Sequence, residues 1–182
     1  SSQHILDSVD GILKRLKTDY LDVLLLHRPD ALMEPDQVAA AFDRLHAAGK
    51  VRYFGVSNQN PYQMELLQAS VNQPLIINQL QLGPAHTPMI DAGLNVNMRE
   101  VAGINRDGGI LDYCRLKGIT IQPWSPFQVD LHQGVFMTHP DYQLLTETLS
   151  QGAKQHGVAF EAMVIAWLLR HPAGFQPIVG TM

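Results

Sequence analysis

Cysteine is nearly absent. Cys114 is the single one among 182 residues, which excludes an internal disulfide and any cysteine-based zinc cage. A reducing compartment, the cytoplasm, is the expectation that follows. Long apolar runs are missing as well: Val23–Leu26 is a strongly apolar stretch, and even the longer Ala162–Leu169 falls well short of the ~20 residues that a membrane-spanning helix needs. Charge is sparse at 16%, and 13 basic against 17 acidic residues leave a net charge of −4. Nucleic-acid surfaces show a basic excess or stripe, so no nucleic-acid partner is expected. No GxGxxG follows any apolar run, and no phosphate-binding P-loop occurs. Ser1-Ser2-Gln3-His4 begins neither a signal peptide nor a basic transit segment. With no initiator methionine, the start reads as internal or processed.

What is present is a chain with 46% apolar residues, long enough for a sizeable core. Its periodicity alternates between helix and strand. Val9, Ile12, Leu13 and Leu16 recur at helical spacing, which predicts a helix over 3–17. Tyr20 to Leu26 reads as a buried strand by its near-continuous apolar character, stopped at Pro29. Val38, Phe42 and Leu45 mark a helix closed by Gly49, and Val51 to Val56 a second strand. Asn60-Pro61 has the form of an N-cap followed by proline in the first turn. Leu75 to Leu82 reads as a third strand, followed by an irregular stretch over 83–106. Asp107 caps a helix carrying Ile110, Leu111 and Cys114, and Ile119 to Gln122 is a fourth strand. Helices over 141–156 and 160–171 precede a fifth, short strand around Pro177 to Val179.

Strands separated by helices indicate an α/β domain with a parallel sheet. The open doubly wound form usually carries a dinucleotide fingerprint that is missing here, so the (β/α)8 TIM barrel is favoured. About five parallel strands are too few for eight, and the expectation is one partial barrel domain over 1–182, incomplete in this chain. In such barrels the chemistry collects at the C-terminal strand ends. The exits here are His27, Ser57-Asn58, Gln79, Trp124-Ser125 and Gly180-Thr181. A flat ligand with polar edges suits that rim, with Trp124 stacking and the amides of Asn58 and Gln79 bonding a carboxamide.

At these same residues the sequence resembles the aldo-keto reductases, through bacterial oxidoreductases of that family. Leu16-Lys17-Thr18-Asp19-Tyr20-Leu21-Asp22-Val23-Leu24-Leu25-Leu26-His27 is similar to the strand-four signature, with the catalytic-site histidine at its end. Gly49-Lys50-Val51-Arg52-Tyr53-Phe54-Gly55-Val56-Ser57-Asn58 is similar to the strand-five signature. Asn78-Gln79, Pro123-Trp124-Ser125-Pro126 and Pro177-Ile178-Val179-Gly180-Thr181 resemble the later cofactor-contacting segments. The resemblance implies a C-terminal part of the barrel, from strand four to strand eight. It also implies reduction of a small aldehyde or ketone by NADPH, and leaves NADH open. On that pattern His27 bonds the substrate carbonyl, and Ser57, Asn58 and Gln79 grip the carboxamide. Trp124 stacks on the nicotinamide, while Ser125, Phe127, Gly180 and Thr181 lie along the phosphate and ribose.

The family's proton-donating tyrosine, with its aspartate and lysine, belongs to the earlier strands. Tyr20 precedes His27 by seven residues, on the order of 20 Å along a strand and at its wrong end. Tyr53 lies within its strand and Tyr113 on a helix, and no lysine neighbours Tyr62 or Tyr142. The alternative expectation is therefore a non-catalytic partial barrel that binds cofactor weakly or assembles with another chain through open strand edges. His132 and His139, near Asp130 and Asp141, lack regular ligand spacing, and no metal is expected there. Met163, Trp167 and Leu168 read as a buried helix face, and Cys114 as a core residue.

Overall fold

The computed structural model describes residues 1–180. The chain clusters into two compact units, Ser1–Asn78 with Leu116–Ile119 and Gln79–Arg115 with Thr120–Met182.

In the first unit, helix α1 (Ser2–Leu16) buries Leu6, Val9 and Leu13 on one stripe. It ends at Lys17, which takes left-handed backbone (φ 55°) and donates its N–H to Leu13. Strand β1 (Leu21–Leu26) and strand β2 (Val51–Ser57) pair in parallel, with Leu21 opposite Val51 and Leu26 opposite Val56. Helix α2 (Pro35–Ala47) connects them and packs Val38, Ala41, Phe42 and Leu45 inward. The Phe42 and Phe54 rings stack at 4.0 Å, both fully buried. Helix α3 (Pro61–Gln68) leads to strand β3 (Leu75–Gln81), the other neighbour of β2. The strands approach closely at Gly55, where a β-carbon would stand 2.6 Å from the Ile77 carbonyl oxygen. β1 is half-buried rather than buried, with Asp22 exposed. It stands at the end of the strand order, where its apolar run has a strand on one side.

The second unit takes up the last residues of β3 and adds strand β4 (Thr120–Trp124) beside it. Helix α5 (Ile110–Lys117) precedes β4, its start held by the Asp107 carboxylate accepting from the Gly109 and Ile110 N–H groups. The stretch read as irregular contains helix α4 (Pro88–Leu94) and a single 3-10 turn at Val101–Gly103. After β4 comes a small antiparallel hairpin, β5 (Gln128–Asp130) with β6 (Gly134–Val135). Helices α6 (Gln143–His156) and α7 (Phe160–Leu169) follow. Val129, Phe136, Leu149 and Val164 form the core here, with Phe127, Phe160 and Met163 packed against it.

Two expectations change in this unit. No strand forms over Pro177–Val179. The segment does lie along β4, with the Gln176 N–H on Ile121 O (3.1 Å) and the Ile178 N–H on Pro123 O (2.8 Å). Pro123 has no N–H to return to Gln176, so the ladder is one-sided. Trp167, expected in a buried face, is 39% exposed, while Leu168 beside it is fully buried. α7 is apolar on nearly every side, and periodicity therefore did not single out the inward face. Among the described residues no helix is long and apolar enough to cross a membrane.

Candidate functional site

The first unit brings His27, Ser57 and Asn58 to neighbouring strand exits. Leu26 is opposite Val56 in the ladder, so His27 and Ser57 leave β1 and β2 at the same level, one strand spacing (~4.8 Å) apart. Ser57 is buried, and Asn58 is left-handed (φ 56°), its side-chain amide donating to Ser57 Oγ at 2.8 Å. A non-glycine residue in this conformation costs about 1–2 kcal/mol, less for asparagine, and persists where its surroundings fix it. Here they do so from two directions. Asn78, fully buried in β3, donates Nδ2 to the Gln59 carbonyl at 2.8 Å. On the other side Asn60 closes a reciprocal cap on α3: its Oδ1 accepts from the Gln63 N–H, and Gln63 Oε1 accepts from the Asn60 N–H, both at 2.9 Å.

His27 is exposed and fronts a cavity of about 470 Å³ that Leu26, Arg28, Glu34 and Gln59 also line. Gln59 is buried but was not predicted from sequence; its Oε1 and the Oδ1 of Asn78 find no hydrogen-bond partner among the described residues. Unpaired buried amide oxygens are rare enough to mark a place where polar groups serve something besides packing. The available signal was Asn78 itself, an amide that follows three apolar residues in β3.

In the second unit, Gln79 stands two residues short of the end of β3, not at the exit as expected. Its Nε2 donates to Gln122 Oε1 at 2.9 Å, and Gln122 Nε2 donates to Gln176 Oε1 at 2.7 Å. This relay orients the Gln79 carboxamide, and neither Gln122 nor Gln176 was singled out from sequence. Trp124 ends β4 half-buried, and Ser125 follows it in left-handed backbone (φ 50°), its carbonyl accepting from the Gln128 N–H at 3.1 Å. Phe127 and Gly180 come to one apolar groove of about 490 Å³, walled by Ala162, Ile165 and Leu169 of α7. Thr181 lies outside the described residues.

The titratable groups near this machinery build structure. The Asp130 carboxyl is held at about 2 by the Gln133 side chain and by the N–H groups of Gln133 and His132. His139 Nδ1 accepts from the Asp141 N–H at 3.2 Å. Burial pushes the Cys114 thiol up to about 12, and the fully buried sulfur is a core group. An imidazole, a hydroxyl and a carboxamide at the exits of β1 and β2 can hold a polar planar ligand through paired donors and acceptors. That group suits the carboxamide of a nicotinamide in its chemistry, and in the second unit Trp124 presents a half-buried aromatic plane.

Comparison with known proteins shows the family. The aldo/keto reductase family matches residues 1–182. The chain is 37% identical to the uncharacterized oxidoreductase YcsN of Bacillus subtilis (strain 168), over all of this chain and 55% of that protein. It is 36% identical to the oxidoreductase YdhF of Escherichia coli (strain K12) and 35% identical to a 6-dehydroglucose reductase of Agrobacterium fabrum. Each of these covers 98% of this chain and 53% of the relative. Among solved structures, the thermostable aldo-keto reductase Tm1743, in complex with the inhibitor epalrestat, superposes with a TM-score of 0.71 at 27% identity. That match covers 97% of this chain and 56% of Tm1743. The chain thus spans about half the length of the relatives it matches.

Proposed function

The chain belongs to the aldo/keto reductase family, and from that premise we propose that it takes part in the nicotinamide-dependent reduction of an aldehyde or ketone to an alcohol. The observation that carries this reading is the shared backbone of Asn58 and Ser125, both left-handed and both directly after a strand. Strained non-glycine residues gather at ligand sites, where the strain serves to place a group. The nicotinamide, when bound, supplies the hydride. His27 donates a hydrogen bond to the substrate carbonyl, which favours the alkoxide that develops there. Ser57, Asn58 and Gln79 orient the carboxamide, and Trp124 lies against the ring. Ser125, Phe127, Gly180 and Thr181 follow the phosphates and ribose, with NADPH as the first cofactor to try and NADH as the second.

The order of the strand-exit segments supports aligning β1 to β4 with the later strands of the family's barrel. A cytoplasmic setting and self-association along the outer edge of β1 belong to the same proposal. A second reading, a module that binds cofactor without turning it over, is favoured by the placement of Tyr20 and Tyr53. Tyr20 packs under the Arg52 guanidinium, 3.9 Å from ring to cation, at the opposite end of β1 from His27. Tyr53 sits mid-strand and 53% exposed, pairing with Val23 far from the exit.

Titration with NADPH and NADH, read by tryptophan fluorescence, tests the binding. Saturable quenching is expected, lost in Trp124→Phe and retained in Trp167→Phe; no saturation with either cofactor overturns the proposal. Nicotinamide labelled with deuterium at the transferred position then separates the two readings. The reductase delivers label to the carbinol carbon of a simple aldehyde or of 6-dehydroglucose, and the binding module delivers none.

A further inference from the structure

The loop that follows β3 and the segment that follows β4 are pinned together at two points. Gly83 and His86 close a tight turn at the end of β3, with the Gly83 N–H on His86 O at 3.1 Å and the His86 N–H on Gly83 O at 2.9 Å. That turn presses its backbone onto the segment after β4: a β-carbon on Gly83 would overlap the Pro126 carbonyl oxygen and stand 2.8 Å from the Pro126 carbonyl carbon. Two residues past Pro84, His86 Nδ1 lies 2.9 Å from the carbonyl oxygen of Val129 in β5. A carbonyl only accepts, so Nδ1 carries the proton and donates. Val129 is buried, and its carbonyl without a donor would cost the desolvation of that group. The far side of the same segment is tied by the Phe136 N–H on Phe127 O at 3.0 Å.

Directly before these ties sits Ser125, held at φ 50°. A residue in that conformation relaxes toward ordinary backbone unless its flanks are fixed. The contact at Pro126 is steric and repulsive on approach, so it sets a limit without supplying attraction. A directional, attractive tie on this side of the hairpin is the hydrogen bond from His86. We propose that His86 is a positioning residue, donating Nδ1–H to Val129 so that the loop after β3 holds Trp124–Phe127 in its ligand-ready shape. It touches no ligand itself. The part of this that concerns cofactor rests on the reductase reading above, and the part that concerns the loop does not.

The test compares the full chain with His86→Ala and His86→Asn by amide hydrogen exchange and by NADPH titration. Asparagine places an N–H donor near the position of Nδ1, whereas alanine places none. In His86→Ala, exchange at residues 83–86 and 124–130 is expected to rise by a few-fold to tenfold, the worth of one net hydrogen bond. NADPH affinity falls by a similar factor, and His86→Asn restores both. Exchange in α6 stays unchanged, because a global loss of stability, unlike a positioning role, would raise it there too. Unchanged exchange at 124–130 in His86→Ala, or an equal rise throughout the chain, overturns the proposal, as does failure of asparagine to restore the loop. If the wild-type chain binds no NADPH, the reductase reading falls, and the exchange comparison by itself decides whether His86 holds the loop.

Discussion

Ser125, like Lys17, takes left-handed backbone without the tolerance of asparagine or glycine. Asparagine tolerates the left-handed region through its short polar side chain, and Asn58 uses that tolerance at φ 56°. Serine at φ 50° has less excuse, so its conformation is maintained by the contacts around it. Ser125→Gly should therefore raise stability by about 1 kcal/mol, seen as a higher urea midpoint, while weakening NADPH binding because the freed backbone is less ordered. A lower urea midpoint would show that the side chain, not the strain, dominates there. The sequence marked Ser125 through its motif and its place after an apolar run. Its strain was not legible, since φ depends on how the flanking loops are packed.

At the scale of elements, the first unit follows its local signals closely. Asn60-Pro61 predicted the start of α3, and the structure adds the reciprocal bond from Gln63 that completes the cap. Asn60→Ala removes the acceptor for the Gln63 N–H and should cost about 1 kcal/mol. The expected result is a lower thermal midpoint with the helix otherwise retained, and no change in midpoint would show that solvent replaces the cap. The signals failed where elements are short. α4 is a helix of 7 residues and the β5–β6 hairpin pairs strands of 3 and 2, lengths at which periodicity has too few repeats to register. The fifth strand failed for a different reason: Pro123 withholds one of the donors that a parallel ladder needs.

For the whole molecule, the perturbed groups define how stability should vary with pH. His171 stacks on Phe175 at 4.6 Å, and burial, aided by Arg115, holds its pKa below the ordinary 6.5. The folded state thus binds this proton less readily than the unfolded chain. Its contribution is full above 6.5 and is lost as pH falls through the lowered value. Asp130, near 2, and Asp43, lowered by Gln73 and Asn72, contribute fully above the ordinary 3.8 and lose that contribution on further acidification. Cys114 acts on the alkaline side: raised to about 12, it contributes fully below the ordinary 9.0 and is lost as pH climbs toward 12. Urea midpoints should accordingly be flat between about pH 6.5 and 9, decline in two stages on acidification, and decline again in alkali. His171→Gln should remove the first acid stage, and its persistence in that variant would assign it elsewhere.

The sequence by itself determined the alternation of strand and helix, the polar character of the strand exits and the family to which the chain belongs. Each of these is written in near neighbours along the chain: an apolar run, a cap, a histidine one step past a strand. Tertiary structure alone decided the left-handed backbone of Asn58 and Ser125, the clamp of Asn78 on Gln59, the relay from Gln79 through Gln122 to Gln176, and the tie from His86 to Val129. These join residues 19 to 54 positions apart. A hydrogen bond depends on distances of tenths of an ångström between such residues, and only the packed chain fixes them.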